Sequence, residues 1–140
     1  MSTDPVNHEK MVTLRREKIA RVANDIPELE VHLDKDADTL LVGWGGTYGH
    51  LYTAAEELNA MGRKVAFAHF RYINPLPANT REVLSRYKTV ICAELNTGQF
   101  ADYLQSKIGG MEVHRINKVQ GQPFLVQEVV DGVINIMDKQ

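Results

Sequence analysis

The sequence is poor in cysteine. Cys92 stands alone in the apolar run Thr89–Leu95 (TVICAEL), and no CxxC occurs. An intramolecular disulfide is therefore excluded. So is an iron–sulfur cluster or zinc site of the usual kind built by this chain alone. A lone cysteine in an apolar strand reads as core filler, and a reducing, cytoplasmic setting fits it. No apolar run approaches the roughly 20 residues of a membrane span. The amino-terminal stretch MSTDPVNHEK is polar, unlike a signal peptide. Positive charge is not in excess either: the net charge is −2, which argues against a nucleic-acid binder with a generally basic surface. The histidines His8, His32, His50, His69 and His114 place no pair at metal-ligand spacing on one helix. His69 falls in a strand and reads as a satisfied core histidine. Ser85 and Ser106 lack nucleophile-elbow glycines, so a serine triad has no support.

What is present is the composition of one globular domain. The chain has 140 residues, 44% hydrophobic and 24% charged, enough to bury a core without disulfides or metal. No internal repeat, low-complexity stretch or interdomain linker interrupts it.

A helix is expected first, capped by Asp4–Pro5 or Asn7 and running to about Asp25, with Pro27 ending it. Met11, Ile19, Val22 and Ile26, with Leu14 close by, give it an apolar stripe. Lys10, Arg15, Arg16, Lys18 and Arg21 give it a basic face, read as solvated. ELEVHL (Glu28–Leu33) alternates as a short strand with one wet face. TLLVGWG (Thr39–Gly45), KVAFAHF (Lys64–Phe70) and TVICAEL are near-continuous apolar strands, and MEVHRI (Met111–Ile116) alternates. Helices are expected at Thr47–Met61, Ala78–Tyr87, Gln99–Ile108 and Phe124–Met137. Leu51, Ala54, Ala55 and Leu58 form the inner side of the first of these. Val126, Val129, Val130, Ile134 and Met137 form the inner stripe of the last. Gly62 and Gly109–Gly110 are natural stops. Strands alternating with helices imply an α/β domain with a mainly parallel sheet covered on both faces, a three-layer α/β/α sandwich. Right-handed crossovers then gather the strand-to-helix loops Gly43–Gly49, Arg71–Pro77, Glu94–Gly98 and Asn117–Pro123 on one edge. Ligands of open α/β sheets bind along that edge.

The loop Gly43–Gly49 has the layout of a phosphate cradle but fails its signatures. Gly43 and Gly45 fit the dinucleotide pattern, yet the third glycine position is Tyr48, and Gly49 comes one residue late. His69-Phe70-Arg71 stands where a ribose-binding acid is expected, and no Gly-Lys-Ser/Thr follows the glycines. Gly45, Gly46 and Gly49 therefore read as residues that permit a sharp turn and close packing of helix on sheet. Glu94 is the most informative titratable group. It ends an apolar strand just before a helix, where a carboxylate can accept backbone N–H bonds or reach outward to a partner or cofactor. Asn74, Asn96, Gln99, Asn117 and Gln120 project amides along the same edge. Amides hydrogen-bond specifically but run no acid–base chemistry near neutral pH. With Gly45, Gly46, Tyr48 and Glu94 they form a candidate interface. No catalytic, cofactor-binding or metal-binding residue is assigned.

Four motifs occur in order: VGWGGTYG (Val42–Gly49), YINPLP (Tyr72–Pro77), ELNTGQF (Glu94–Phe100) and NKVQGQPF (Asn117–Phe124). They follow NHEKMVTLRREKIARVANDIPELEV (Asn7–Val31). Each is weak alone; together they resemble the C-terminal part of the alpha subunit of 2-oxoacid:ferredoxin oxidoreductases, most closely the 2-oxoglutarate type. The domain is also similar to the C-terminal domain of transketolase. That resemblance implies a five-stranded sheet in the order 1-3-2-4-5 with strand one antiparallel. Residues 28–140 would form this domain, and residues 1–27 an amphipathic helix packed on it or on a neighbour. For the parent enzyme it implies oxidative decarboxylation of a 2-oxoacid with coenzyme A to an acyl-CoA, with electrons passed to ferredoxin. Thiamine diphosphate, magnesium and an iron–sulfur cluster would sit on other domains or subunits. Here the thiamine-site Gly-Asp-Gly motif, the cluster cysteines and the pyrimidine-binding domain are all missing. The chain thus resembles an excised assembly domain, inactive alone. Its expected partners are other domains of the alpha subunit and a thiamine-binding beta subunit, with ferredoxin for the parent. Nucleic acid and membrane are not expected. Two other classes remain open on the residues: a free-standing nucleotide- or flavin-binding protein, and a nucleic-acid module using Lys10 to Arg21.

Overall fold

The structure, a computed structural model, describes residues 26–94, 99–117 and 125–139. The helix expected before Asp25 lies outside these residues, as do Asn96 and Gln120. The elements are β1 (Val31–Leu33), β2 (Thr39–Trp44), a 3-10 turn (Gly45–Thr47), α1 (Tyr48–Ala60), β3 (Ala66–Phe70), α2 (Thr80–Ser85), β4 (Thr89–Glu94), α3 (Gln99–Ile108), β5 (Val113–Asn117) and α4 (Val126–Asp138). The sheet runs β1-β3-β2-β4-β5. β1 pairs antiparallel with β3 through Val31↔Ala68, while β2 lies parallel to both β3 and β4, and β4 parallel to β5. This is the α/β/α arrangement expected from the alternation, with the strand order that the family resemblance implied.

Alternate residues of the central strands feed two cores. Leu40, Val42, Ala66, Ala68, Phe70, Val90 and Cys92 face α2 and α3, meeting Val83, Leu84, Phe100, Ala101 and Leu104. Leu41, Phe67, Ile91 and Ala93 face α1 and α4, meeting Leu51, Ala54, Leu58, Val129, Val130 and Val133. Two covered faces explain why these strands read as unbroken apolar runs. Each fully buried Leu, Ile or Phe contributes about 1.5–3 kcal/mol relative to exposure. The stripe of α4 includes Val133, which is fully buried and which the sequence reading omitted; Val126, Ile134 and Met137 pack at its margin.

Local chemistry sets the boundaries. Glu28–Leu33 was expected as one strand, but only Val31–Leu33 pairs. Before it, Leu29 is held by a side chain instead of a strand. Its N–H donates to Asn79 Oδ1 at 2.7 Å, and Asn79 Nδ2 donates back to its carbonyl at 3.0 Å. Asn59 performs a similar service at the end of α1. It bonds the carbonyls of Ala55 (2.9 Å) and Val65 (3.0 Å) and accepts from the Val65 amide at 3.0 Å. The expected stops act as stops: φ is +86° at Gly62, +72° at Gly109 and +65° at Gly110. Asn117, expected in a loop, is the last residue of β5, in register with Glu94.

Close packing of helix on sheet was expected at Gly45, Gly46 and Gly49. It falls instead on Gly43, within β2. A Cβ there would lie 2.2 Å from Leu51 Cδ1 and 3.1 Å from Thr47 Oγ1, whereas one on Gly45, Gly46 or Gly49 would meet nothing within 4 Å. Gly45 is the turn residue, with φ +67°. The glycine run thus divides its labour: one residue admits α1 against the sheet, and another lets the chain turn into it.

Candidate functional site

Parallel strands β2 and β3 deliver their loops to one edge, and β1 brings the residues preceding it to the same place. The result is a cleft of about 260 Å³, walled by Pro27–Glu30, His32, Tyr48, His69, Arg71, Tyr72 and Pro77. Thr47 fixes the turn beneath it, donating from Oγ1 to the Trp44 carbonyl at 3.0 Å. Tyr48 opens α1 with its ring 40% exposed. That ring stacks on Tyr52 (centroids 5.7 Å apart) and meets His69 edge-on (5.1 Å, 85°).

His69 departs from the satisfied core histidine expected. It is half-buried, and its Nδ1 is buried without a hydrogen-bond partner among the described residues. Burial holds its pKa below the ordinary 6.5; a backbone hydrogen bond at Gly45 opposes this, and the nearby Arg71 charge reinforces it. Burial thus disfavours the imidazolium form, and the ring packs edge-on beneath Tyr48.

Glu94 resolves differently from the exposed amides. It is 1% exposed, and its carboxylate accepts from the Phe100 N–H (3.1 Å) and the Ala101 N–H (3.2 Å). Of its two readings, the geometry gives the structural one: a strand-end carboxylate capping the first turn of α3. Cys92 donates its thiol to Glu94 Oε2 at 3.3 Å. Burial, followed by the Glu94 carboxylate and this bond, pushes the thiol far above its ordinary pKa, with Arg115 opposing. Cys92 is consequently a protonated core thiol, not a nucleophile.

Tyr48 lines the cleft, while Gly45 and Gly46 belong to the 3-10 turn just before it and do not wall the cleft. Asn74, Gln99 and Asn117 are exposed, Asn74 in the β3–α2 connection and the other two at the ends of their elements. The cleft residues Glu28, Glu30, His32, Arg71 and Tyr72 were not singled out from sequence. The antiparallel placement of β1 beside β3 would have found them, because it sets the residues before β1 against those after β3. Among the described residues no group of three or more His, Cys, Asp or Glu could hold a metal ion. No helix among them is long and apolar enough to cross a membrane. The rim offers shape, rings and hydrogen bonds, and among its described residues no nucleophile paired with a base.

No protein-family model matches the sequence. Individual relatives do. The chain is 45% identical over 130 residues to the 2-oxoglutarate oxidoreductase subunit KorA of Mycobacterium tuberculosis, spanning 92% of this chain and 19% of that protein. It is 37% identical over 141 residues to subunit alpha of the 2-oxoacid:ferredoxin oxidoreductase 1 of Aeropyrum pernix, spanning 96% and 22%. Among solved structures, the 2-oxoglutarate:ferredoxin oxidoreductase of Magnetococcus marinus, determined with 2-oxoglutarate, coenzyme A and succinyl-CoA bound, superposes with a TM-score of 0.82. That match has 27% identity and covers 96% of this chain and 24% of the other. A split-gene transketolase shares the fold alone, at a TM-score of 0.61 and 17% identity, covering 78% and 41%. The chain spans about a fifth of the length of the curated relatives described here. By sequence and by fold, it is a homologue of one segment of the alpha subunits of 2-oxoacid:ferredoxin oxidoreductases.

Proposed function

We propose that this chain serves as an assembly domain of a 2-oxoglutarate:ferredoxin oxidoreductase. The parent enzyme would convert a 2-oxoacid and coenzyme A to an acyl-CoA and carbon dioxide, passing electrons to ferredoxin. The observation that carries this reading is 45% identity across 92% of the chain to a KorA subunit. The chemistry of the domain's own residues assigns it a supporting part. Its one cysteine is buried and bonded to Glu94, so it offers no thiolate to an iron–sulfur cluster. Glu94 is occupied by two amides, and the described residues form no metal-ligating group. In this reading thiamine diphosphate, magnesium and the cluster belong to other domains and subunits. The rim around Tyr48, Arg71 and Tyr72 is then a surface for the rest of the alpha subunit and for a beta subunit. Residues 28–140 make up the domain, and the amphipathic stretch before Pro27 lies against it or a neighbour.

Thermal unfolding of the purified chain with thiamine diphosphate and magnesium tests this. A true site at hundred-fold excess over Kd would add about 2.7 kcal/mol of stability. The expected result is an unchanged Tm and no 2-oxoglutarate-dependent ferredoxin reduction by the chain alone. A clear upward shift refutes the reading.

A further inference from the structure

A second groove lies between the β3–α2 connection and α3 and shares Pro77 with the cleft. Loop residues Asn74–Ala78 form one wall, Tyr103, Lys107 and Ile108 the other, and it encloses about 250 Å³. The walls are firm. Pro75 and Pro77 fix their own φ angles, and Thr80 ties the loop down by donating to the Pro77 carbonyl from Oγ1 (2.7 Å) and from its N–H (3.1 Å). Leu76 packs on the core, and Tyr103 stacks on Phe100 at 6.3 Å. The floor is therefore apolar and preformed, a geometry that lowers the ordering cost of a bound segment.

Charge makes the groove selective. Among the described residues its charged lining consists of Arg81 and Lys107, with no carboxylate. The acids adjacent in sequence are already engaged: Glu82 accepts from Arg86 at 2.6 Å, and Asp102 pairs with Arg115. Lys107 stands over the Tyr103 ring, 5.6 Å from its centroid, and neither it nor Arg81 has an acidic partner among the described residues. Among the described residues, then, two cations without an acidic partner flank an apolar trough, in a chain whose net charge is −2.

We propose that this groove docks a short acidic segment of a neighbouring protein chain, an apolar side chain filling the trough and carboxylates meeting Arg81 and Lys107. The inference rests on the assembly reading and names the chemistry of one partner contact. A planar guanidinium grips a carboxylate with two parallel bonds, and the lysine adds a point charge. A free small anion would satisfy the cations but leave the half-buried Leu76 and Pro75 uncovered, so the apolar flank is the part that distinguishes a peptide.

The test is a titration of the 15N-labelled 140-residue chain with a capped hexapeptide of sequence GLEELG, followed by amide chemical shifts. Controls are GLQQLG and inorganic phosphate. Saturable shifts are expected at Leu76, Ala78, Arg81, Tyr103 and Lys107, weakening with salt. GLQQLG is expected to bind roughly tenfold more weakly. R81Q and K107Q should each weaken GLEELG while leaving the rest of the spectrum in place. Silent groove amides, equal binding of GLQQLG, or the same shifts from phosphate alone would overturn the proposal. Those outcomes leave the assembly reading intact. A thiamine diphosphate-dependent rise in Tm would remove that reading while leaving the groove result standing.

Discussion

Replacing Gly43 by alanine probes the contact that seats α1 on the sheet. The added Cβ would stand 2.2 Å from Leu51 Cδ1 and 3.1 Å from Thr47 Oγ1. Leu51 is fully buried, so its methyl can yield only by displacing other core atoms; Thr47 is held by its bond to Trp44. Overpacking of this kind costs about 1–3 kcal/mol. Loss of glycine's freedom in the unfolded chain offsets about 0.4–1 kcal/mol of that. The net expectation is about 1–2 kcal/mol of destabilisation, read by urea unfolding at constant m-value. The clash has a named partner, so a double-mutant cycle isolates it. Leu51→Ala alone should cost about 2–5 kcal/mol. Combined with Gly43→Ala it should cost less than the sum, by about 0.5–2 kcal/mol, because the shortened side chain vacates the contested space. Gly46→Ala is the control. Nothing lies within 4 Å of its added methyl, and it should stay within about 0.5 kcal/mol of the parent. A neutral Gly43→Ala, or strict additivity with Leu51→Ala, would refute the reasoning.

Glu94→Gln should destabilise by about 1–3 kcal/mol in the same urea assay, since a buried amide cannot accept from both the Phe100 and Ala101 N–H groups as a carboxylate does; an unchanged midpoint would remove its capping role. His69 has a folded pKa below the unfolded value, so the unfolded chain binds more protons as pH falls through 6.5. Its contribution is present above that pH and lost below it, and His69→Gln should flatten the fall in Tm between pH 7.5 and 5.5; an unchanged slope would show that His69 does not titrate there. Cys92 should react with a thiol-specific disulfide reagent only as fast as the chain unfolds, its thiol being buried and its pKa raised. Immediate labelling of the native chain would contradict that burial.

The sheet was legible in the sequence because its middle strands are apolar on both faces, a pattern neither loops nor amphipathic helices produce. Inner residues of α1 could be named individually from their spacing, and all of them are buried. Strand order was another matter. Nothing in the periodicity of Glu28–Leu33 says that it pairs antiparallel with β3; that came from the family motifs. The short extent of β1 was also hidden, because the partner that takes over from the sheet is Asn79, 50 residues further along the chain. Gly43 was hidden by its company: a glycine beside three others reads as part of a turn, and only the position of Leu51 shows that it belongs to the packing. The cleft was half legible. Its β2 and β3 loops were expected on one edge, but the residues before β1 reach it through a pairing that local patterns do not encode.

The Glu94 carboxylate has a consequence for how this rim can evolve. It ends β4 and simultaneously accepts from the amides of Phe100 and Ala101, so one side chain ties the end of β4 to the first turn of α3. Any change that separates β4 from the first turn of α3 would take both donors away from a carboxyl group that now lies inside the protein. The spacing of β4 and α3 at this corner is therefore set from inside the domain, and variation there should spare Glu94 before it spares any exposed neighbour.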